Sequence, residues 1–473
     1  MNKWRNESDS LGKLKIPTNA YWGIHTQRAI TNFPFASVKQ HSEYILATVI
    51  IKRAAAAINN KLGIISNKKS LAIINACDEI LAGKFSDQFV VNPYQAGAGT
   101  SHNMNVNEVI ANRANQILGA PLGSYRFINP NDDINMSQST NDVIPSAIRI
   151  STLMILPKFF ESLKALVESL GEKSKEFSHF IKSGRTHLRD ALPITLGQEF
   201  KSYAKALDND RNRILKAEKN LYLIGIGGTA VGTGINSHPQ YHKLMVKELT
   251  RLTDLDLKSS GNLFESANNT ADFLDLSGSL KILAHTLVRV GNDLRLLSSG
   301  PRTGLSEIAL PPVQAGSSIM PGKINPSVIE MLSMVCFQVI GYDQAILLSS
   351  ISGQLELNVM LPLIAFDLLD GIKILTRAIE IFDKRCTRNI KANRSMCRYW
   401  LETSSGIAAV LNPYIGYDKT AKLVQKSLET GKTVKQLTIE SGYISKQLAG
   451  EIFNIRNMTG PNIKSQIQTN EKK

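Results

Sequence analysis

Cysteine is scarce in this chain: four residues in 473, at Cys77, Cys336, Cys386 and Cys397. None forms a C-x-x-C pair, which argues against a zinc cluster or a disulfide scaffold. Their apolar or helical-looking contexts read as small buried thiols. Long apolar runs are missing too. The most apolar stretch begins at Val328, but Glu330, Gln338 and Asp343 interrupt it. A membrane span needs ~18 uninterrupted apolar residues. The opening residues Met1 to Asp9 have no apolar run and carry acids early, unlike a secretory or organellar leader. These absences predict a soluble, cytoplasmic protein with no membrane partner. Acid is in deficit: 40 Asp+Glu against 55 Lys+Arg leaves a net charge of +15. A nucleic-acid binder would gather those bases into a patch. Here Lys68-Lys69 and Lys384-Arg385 with Arg388 are short groups among acidic, polar or apolar neighbours, so the excess reads as a solvated basic surface.

What the chain does have is helical periodicity. Between Lys158 and Lys182, Phe159, Leu163, Leu166, Leu170, Phe177 and Ile181 fall near one face. The segments Leu196 to Leu223, Thr270 to Leu297 and Ile329 to Leu348 look similar, and the last two are poorer in charge. Strand signals are few and short. Breaks fall at Asn129-Pro130-Asn131-Asp132-Asp133, at Gly225 to Gly234, at Gly300 to Gly304 and at Pro311-Pro312. The pattern predicts a mainly α fold in three segments: a mixed, mostly helical part at 1–138, a long-helix bundle at 139–395 and a small helical part at 396–473. The long helices carry more apolar surface than one bundle needs, which predicts that subunits complete each other's core.

The most informative stretch is Gly316-Ser317-Ser318-Ile319-Met320-Pro321-Gly322-Lys323-Ile324-Asn325-Pro326. Two glycines and two prolines surround hydroxyls, an ammonium and an amide, so this is a loop. Asn325 then Pro326 predicts a helix start, with Asn as N-cap and Pro at the first helical position. A polar loop feeding the positive end of a helix suits a carboxylate.

Three other patterns lead nowhere. Gly225 to Ala230 fits G-x-G-x-x-A but follows a helical pattern rather than a strand. His238 and His242 lack the intervening glutamate of a zinc protease. No nucleophile elbow accompanies Ser, His and Asp. No metal or cofactor is expected.

The 316–326 loop resembles the G-S-S-x-M-P-x-K-x-N-P signature of the aspartase/fumarase superfamily, with every fixed position present. Gly97 to Asn105 is similar to the family's first substrate loop, and Ser183 to Ala191 to its G-R-T-H-L-x-D-A stretch. The resemblance runs from Leu11 to Met458. It implies anti-elimination from a succinyl skeleton to give fumarate. Two negative charges then develop on one carboxyl group, an aci-carboxylate, which fixed donors and a cation stabilise.

By this resemblance Ser317 is the base, and Lys323 and Asn325 hold the carboxylate. A hydroxyl acts as a base only where loop N–H groups and positive charge stabilise its anion. His187 pairs with Glu330. Thr100, Ser101, Asn103 and Thr186 join Ser139, Thr140, Asn141 and Ser318 as neutral groups for the second carboxylate and the leaving group. Ser139 to Asp142 also reads as a helix cap. Asn129, Asn131 and Asp132 stand where the family has a second carboxylate site, or form a simple turn. The resemblance further implies a homotetramer whose sites combine loops of three subunits.

The substrate divides the reading. Ala98-Gly99-Thr100-Ser101 and Ser139-Thr140-Asn141 are similar to aspartases, whereas Trp22-Gly23 and Gly416-Tyr417-Asp418 are at least as similar to fumarases. The balance implies ammonia loss from L-aspartate, with fumarate hydration as the alternative and a non-catalytic scaffold as a remote one. Arg189, where the family has glutamine, Arg289, where lysine is common, and Asn268-Asn269-Thr270 depart from the pattern.

Overall fold

A computed structural model describes residues 3–35 and 38–461. The order begins with a hairpin, β1 (Trp4–Asp9) and β2 (Gly12–Pro17), then α1 (Ile24–Asn32), α2 (Ser42–Lys61), α3 (Asn67–Leu81) and α4 (Thr100–Ile117). The long α5 (Thr140–Glu176) leads into a second hairpin, β3 (Ile181–Thr186) and β4 (Arg189–Thr195). There follow α6 (Leu196–Glu218), α7 (Tyr241–Thr253), α8 (Leu263–Asn268), α9 (Ala271–Leu297), α10 (Ser327–Ser350) and α11 (Leu361–Arg385). Six shorter helices, α12 (Arg394–Thr403) to α17 (Ile455–Met458), close the described chain. Among the described residues every sheet is two-stranded and helices dominate, so the fold is mainly α, as expected.

The chain forms two compact units. The first joins Met1–Glu161, Asp210–Ala284 and Val335–Arg377. In it α2, α3 and α4 pack through Val49, Ile73, Cys77, Val106 and Ile110, all fully buried. The second joins Ser162–Asn209, His285–Met334 and Ala378–Lys473. There Leu401, Leu411, Leu423, Val434 and Leu437 form a buried cluster from the short C-terminal helices. All four cysteines are buried and unbridged.

Several local expectations shift. The helix through Lys158 ends at Glu176, and the residues from Ile181 enter β3. The Lys-Ser-Gly-Arg-Thr run carries no alternation of apolar residues to announce a strand. At α10, Pro326 precedes the first helical residue, Ser327, and its carbonyl accepts from the N–H groups of Ile329 and Glu330. Asn325 is therefore one position too early to be the N-cap, and its amide instead donates to the Gly316 carbonyl at 2.8 Å. Helix α11 is an addition to the helices that the periodicity predicts.

Among the described residues two helices, α5 and α10, are long and apolar enough to cross a membrane by length and composition alone. The apolar window of α5 is 72% buried, as in a core helix, whereas that of α10 is only 33% buried.

Candidate active site

The first unit builds a polar cleft of about 640 Å³, lined by Thr100, Asn103, Ser139 and Thr140 together with Asn131, Asp132, Asn135 and Gln138. Thr100 opens α4, where Gly99 supplies the left-handed turn (φ 84°) that starts the helix. Ser139 caps α5: its Oγ accepts from the Asn141 N–H, and the Asp142 carboxylate accepts from the Ser139 N–H at 2.9 Å. The capping reading of this run is therefore correct.

Asp142 does more. Fully buried, it also accepts from the N–H groups of Gly227 and Thr229 at 2.8 and 3.0 Å, tying the glycine-rich segment to the start of α5. Burial raises its pKa to about 6 against those bonds. Asn141 donates to the Ala230 carbonyl at 2.7 Å, so its amide serves the same tether.

Beneath the cleft lies a network that the sequence reading missed. Lys52 is buried, and its ammonium donates to Asn135 Oδ1 at 2.9 Å. Asn103 and Asn107 donate to the same oxygen at 3.2 and 3.3 Å. Desolvation pulls Lys52 down to about 7, despite the nearby Asp142 charge. His102 stacks on Tyr44 and pairs with Thr48 Oγ1 at 2.9 Å. Burial drops it to about 3, so it is neutral. In sequence these residues look like ordinary helix interior. Lys52 and Arg53 stand side by side between Val49-Ile50-Ile51 and Ala54 to Ala57, and nothing in that run tells which of the two cations is buried.

Asn129 Oδ1 accepts from the N–H groups of Asn131 and Asp132 at 2.8 and 3.2 Å, closing the turn. Asp133 takes an ion pair from Lys69 at 2.7 Å.

The second unit carries the other candidates. Ser317 Oγ accepts from the N–H groups of Ile319 and Met320 at 3.2 and 2.9 Å. These are the donors that the chemistry of a serine base asks for. The loop closes on itself through Gly316 N–H to the Lys323 carbonyl at 2.8 Å. A Cβ at Gly316 would lie 2.6 Å from Asn325 N, so only glycine allows this approach. Ser318 and Lys323 are exposed, and Lys323 makes no ion pair among the described residues. Glu330 lies in the first turn of α10.

His187 and Thr186 sit at the tip of the β3–β4 hairpin. Thr186 pairs with Arg189, leaving His187 and Leu188 as a two-residue turn with φ of 53° and 57°. Such turns favour Asn and Gly; a residue with a Cβ costs roughly 1–2 kcal/mol there. Both residues are exposed, and no hydrogen bond or ion pair joins His187 to Glu330 among the described residues.

A lyase family model matches residues 12–341, and a fumarase C C-terminal model matches 407–460. The chain belongs to the aspartase/fumarase lyase family. Among its curated relatives is the aspartate ammonia-lyase of Bacillus subtilis (strain 168), 44% identical over 98% of this chain and 97% of that one. The aspartate ammonia-lyase of Escherichia coli (strain K12) is 41% identical over 99% of each. A solved fumarate lyase:delta crystallin from Brucella melitensis, bound to cobalt, superposes with a TM-score of 0.93 at 44% identity. It covers 97% of this chain and 100% of its own. A recombinant class II fumarase from Schistosoma mansoni, covering the same shares of the two chains, gives 0.93 at 38%. The candidate residues divide between the units: the Thr100–Asn141 cleft lies in the first, and the Ser317 loop and the His187 hairpin each lie in the second.

Proposed function

We propose that the chain is an aspartate ammonia-lyase, removing ammonia from L-aspartate by anti-elimination to give fumarate. The observation that carries the substrate is the set of curated relatives, 41–44% identical along nearly the whole chain, that bear that name. In this reading Ser317 Oγ takes a proton from the carbon beside one carboxylate. The C–H electron pair passes into that carboxyl group as an aci-carboxylate, held by Lys323 and Asn325. The pair then returns to form the double bond, the C–N bond breaks and ammonia leaves. The two N–H donors on Ser317 support its role as base. Thr100, Ser101, Asn103 and Thr186 bind the rest of the substrate with Ser139, Thr140, Asn141 and Ser318. His187, paired with Glu330 of a neighbouring subunit, assists at the leaving group. Asn129, Asn131 and Asp132 form a second place for a carboxylate, where binding falls to side chains because Asn129 already takes the turn's N–H groups.

The same reading makes the enzyme a cytoplasmic homotetramer organised as 1–138, 139–395 and 396–473, its sites shared among subunits. One face of α10, with Met334, Phe337, Gln338, Gly341, Gln344 and Leu348, is exposed and carries no charge. Such a face supports packing against copies of itself. The similarity to a class II fumarase supports the second reading, hydration of fumarate.

The test is fumarate formation followed in the ultraviolet, with L-aspartate and L-malate supplied separately. Fumarate from aspartate alone is expected. Fumarate from malate alone replaces the proposal with the hydratase, and none from either leaves a non-catalytic scaffold.

A further inference from the structure

At the base of the β3–β4 hairpin, four charged side chains are gathered inside the second unit. Glu307 is fully buried, with no exposed side-chain surface. Its carboxylate takes Lys182 Nζ at 3.0 Å and Arg185 Nη1 at 3.0 and 3.1 Å. Lys182, 1% exposed, bonds Glu199 at 2.9 Å. Two cations and two anions balance, so the set is neutral as a whole and unbalanced if one member is lost. Lys182 and Arg185 both belong to β3, whereas Glu307 lies outside the hairpin. Glu307 is itself fixed by its backbone: its N–H donates to the Leu297 carbonyl at 2.9 Å, and its carbonyl accepts from the Asn393 N–H at 2.8 Å. The hairpin is thus anchored from within the fold.

The tip of this hairpin is the His187-Leu188 turn, held in left-handed backbone that neither residue favours. Nothing local selects that turn: there is no Asn-Gly pair, and both side chains point into solvent-exposed surroundings. Strain of this kind persists where the surroundings over-determine it. Arg185 precedes the tip by two residues, and β3 and β4 shift register between Ser183 and Arg185. An irregular ladder sets the direction of its tip less firmly than a regular one. The ion pair from Arg185 to Glu307 falls at that irregular point.

We propose that the Arg185–Glu307 pair is a positioning device for His187, fixing the hairpin so that the strained turn presents the imidazole in one place. This rests on the reading of His187 as a residue of the active site. Arg185 is a positioning residue, since it acts through the hairpin, and Glu307 is its buried anchor.

Four variants of the full-length enzyme test this with L-aspartate. Arg185→Gln is expected to lower kcat ~10²-fold, the scale of a misplacement of about 1 Å, with KM changed less than ~3-fold. Arg185→Lys keeps the charge and is expected to restore most of kcat. Leu188→Gly relaxes the turn without touching the ion pairs. It is expected to lower kcat at least ~5-fold with the thermal midpoint unchanged or raised. This variant keeps the proposal testable if Arg185→Gln fails to fold. Near-normal kcat in Arg185→Gln or in Leu188→Gly overturns the proposal, as does a kcat loss in Arg185→Gln that Arg185→Lys shares. His187→Ala separates the two levels. If it retains normal turnover, the site reading and the positioning role fall together. If it is impaired while Arg185→Gln is not, the positioning role alone falls.

Discussion

At Ser317 two peptide N–H groups converge on one hydroxyl oxygen. Each such bond to a charged acceptor is worth about 1.5–3 kcal/mol. Two do not by themselves make a hydroxyl a base at neutral pH, so the proposed role of Ser317 also requires a cation, for which Lys323 is the candidate. Ser317→Ala is expected to cut turnover at least ~10²-fold while the far-ultraviolet spectrum and thermal midpoint stay unchanged; near-normal turnover would remove Ser317 as the base. Lys52 makes a different claim. The unfolded chain keeps its proton up to 10.5, whereas the buried amine loses it at about 7. Between those values the unfolded state binds more protons, so this group's contribution to stability rises with pH. Below about 7 both states are charged and the contribution is constant. Asp142, raised from 3.8 to about 6, acts with opposite sign in a lower window, since stability from its proton is lost as pH rises through 6. Lys52→Met is expected to flatten the rise of thermal midpoint between pH 7 and 10. An unchanged slope would assign that rise to other groups.

Among the elements, the helix termini carry the positioning. The start of α5 is capped by Ser139 and Asp142, and the same Asp142 reaches Gly227 and Thr229. The start of α6 is set by close approach to the end of α5: Gly197 donates to the Phe177 carbonyl at 3.1 Å, and its own carbonyl accepts from Ser174 Oγ at 2.8 Å. A Cβ there would lie 2.7 Å from Ser178 Cα, and backbone cannot swing aside as a side-chain end does. Gly197→Ala is expected to cost ~1–3 kcal/mol, the usual range for overpacking. A thermal midpoint equal to the parent's would show that the two helices separate freely. The β3–β4 hairpin is not legible in the sequence, which lacks alternation there; packing of Ile181 on the C-terminal cluster and the ion pairs to Glu307 both tie it to the fold, and no local pattern encodes either.

For the molecule as a whole, the uncharged face of α10 is the outstanding surface. Phe337 is 59% exposed and Leu348 63%, on a helix whose neighbouring turns bury Ile329, Leu332, Cys336 and Ile346. In the proposed homotetramer this face is where another copy of the chain packs. Phe337→Glu places a charge on it. The variant is expected to sediment as a smaller species than the parent and to lose activity with its shared sites. A variant that sediments like the parent would move the subunit contact elsewhere.

The sequence by itself determined the helical class, the buried unbridged cysteines, the 316–326 loop and the family. These follow from periodicity, composition and short contiguous patterns, which survive in one dimension. The tertiary structure decided the rest. It showed that Asn325 closes the loop rather than capping α10, because helix starts depend on which carbonyl the first N–H groups find. It revealed the Lys52–Asn135 network, whose members lie 83 residues apart. It also exposed the ion pairs that join Glu307 to a hairpin more than 100 residues earlier. Burial and long-range pairing set the charge state of such groups, and neither is a property of neighbouring residues in the chain.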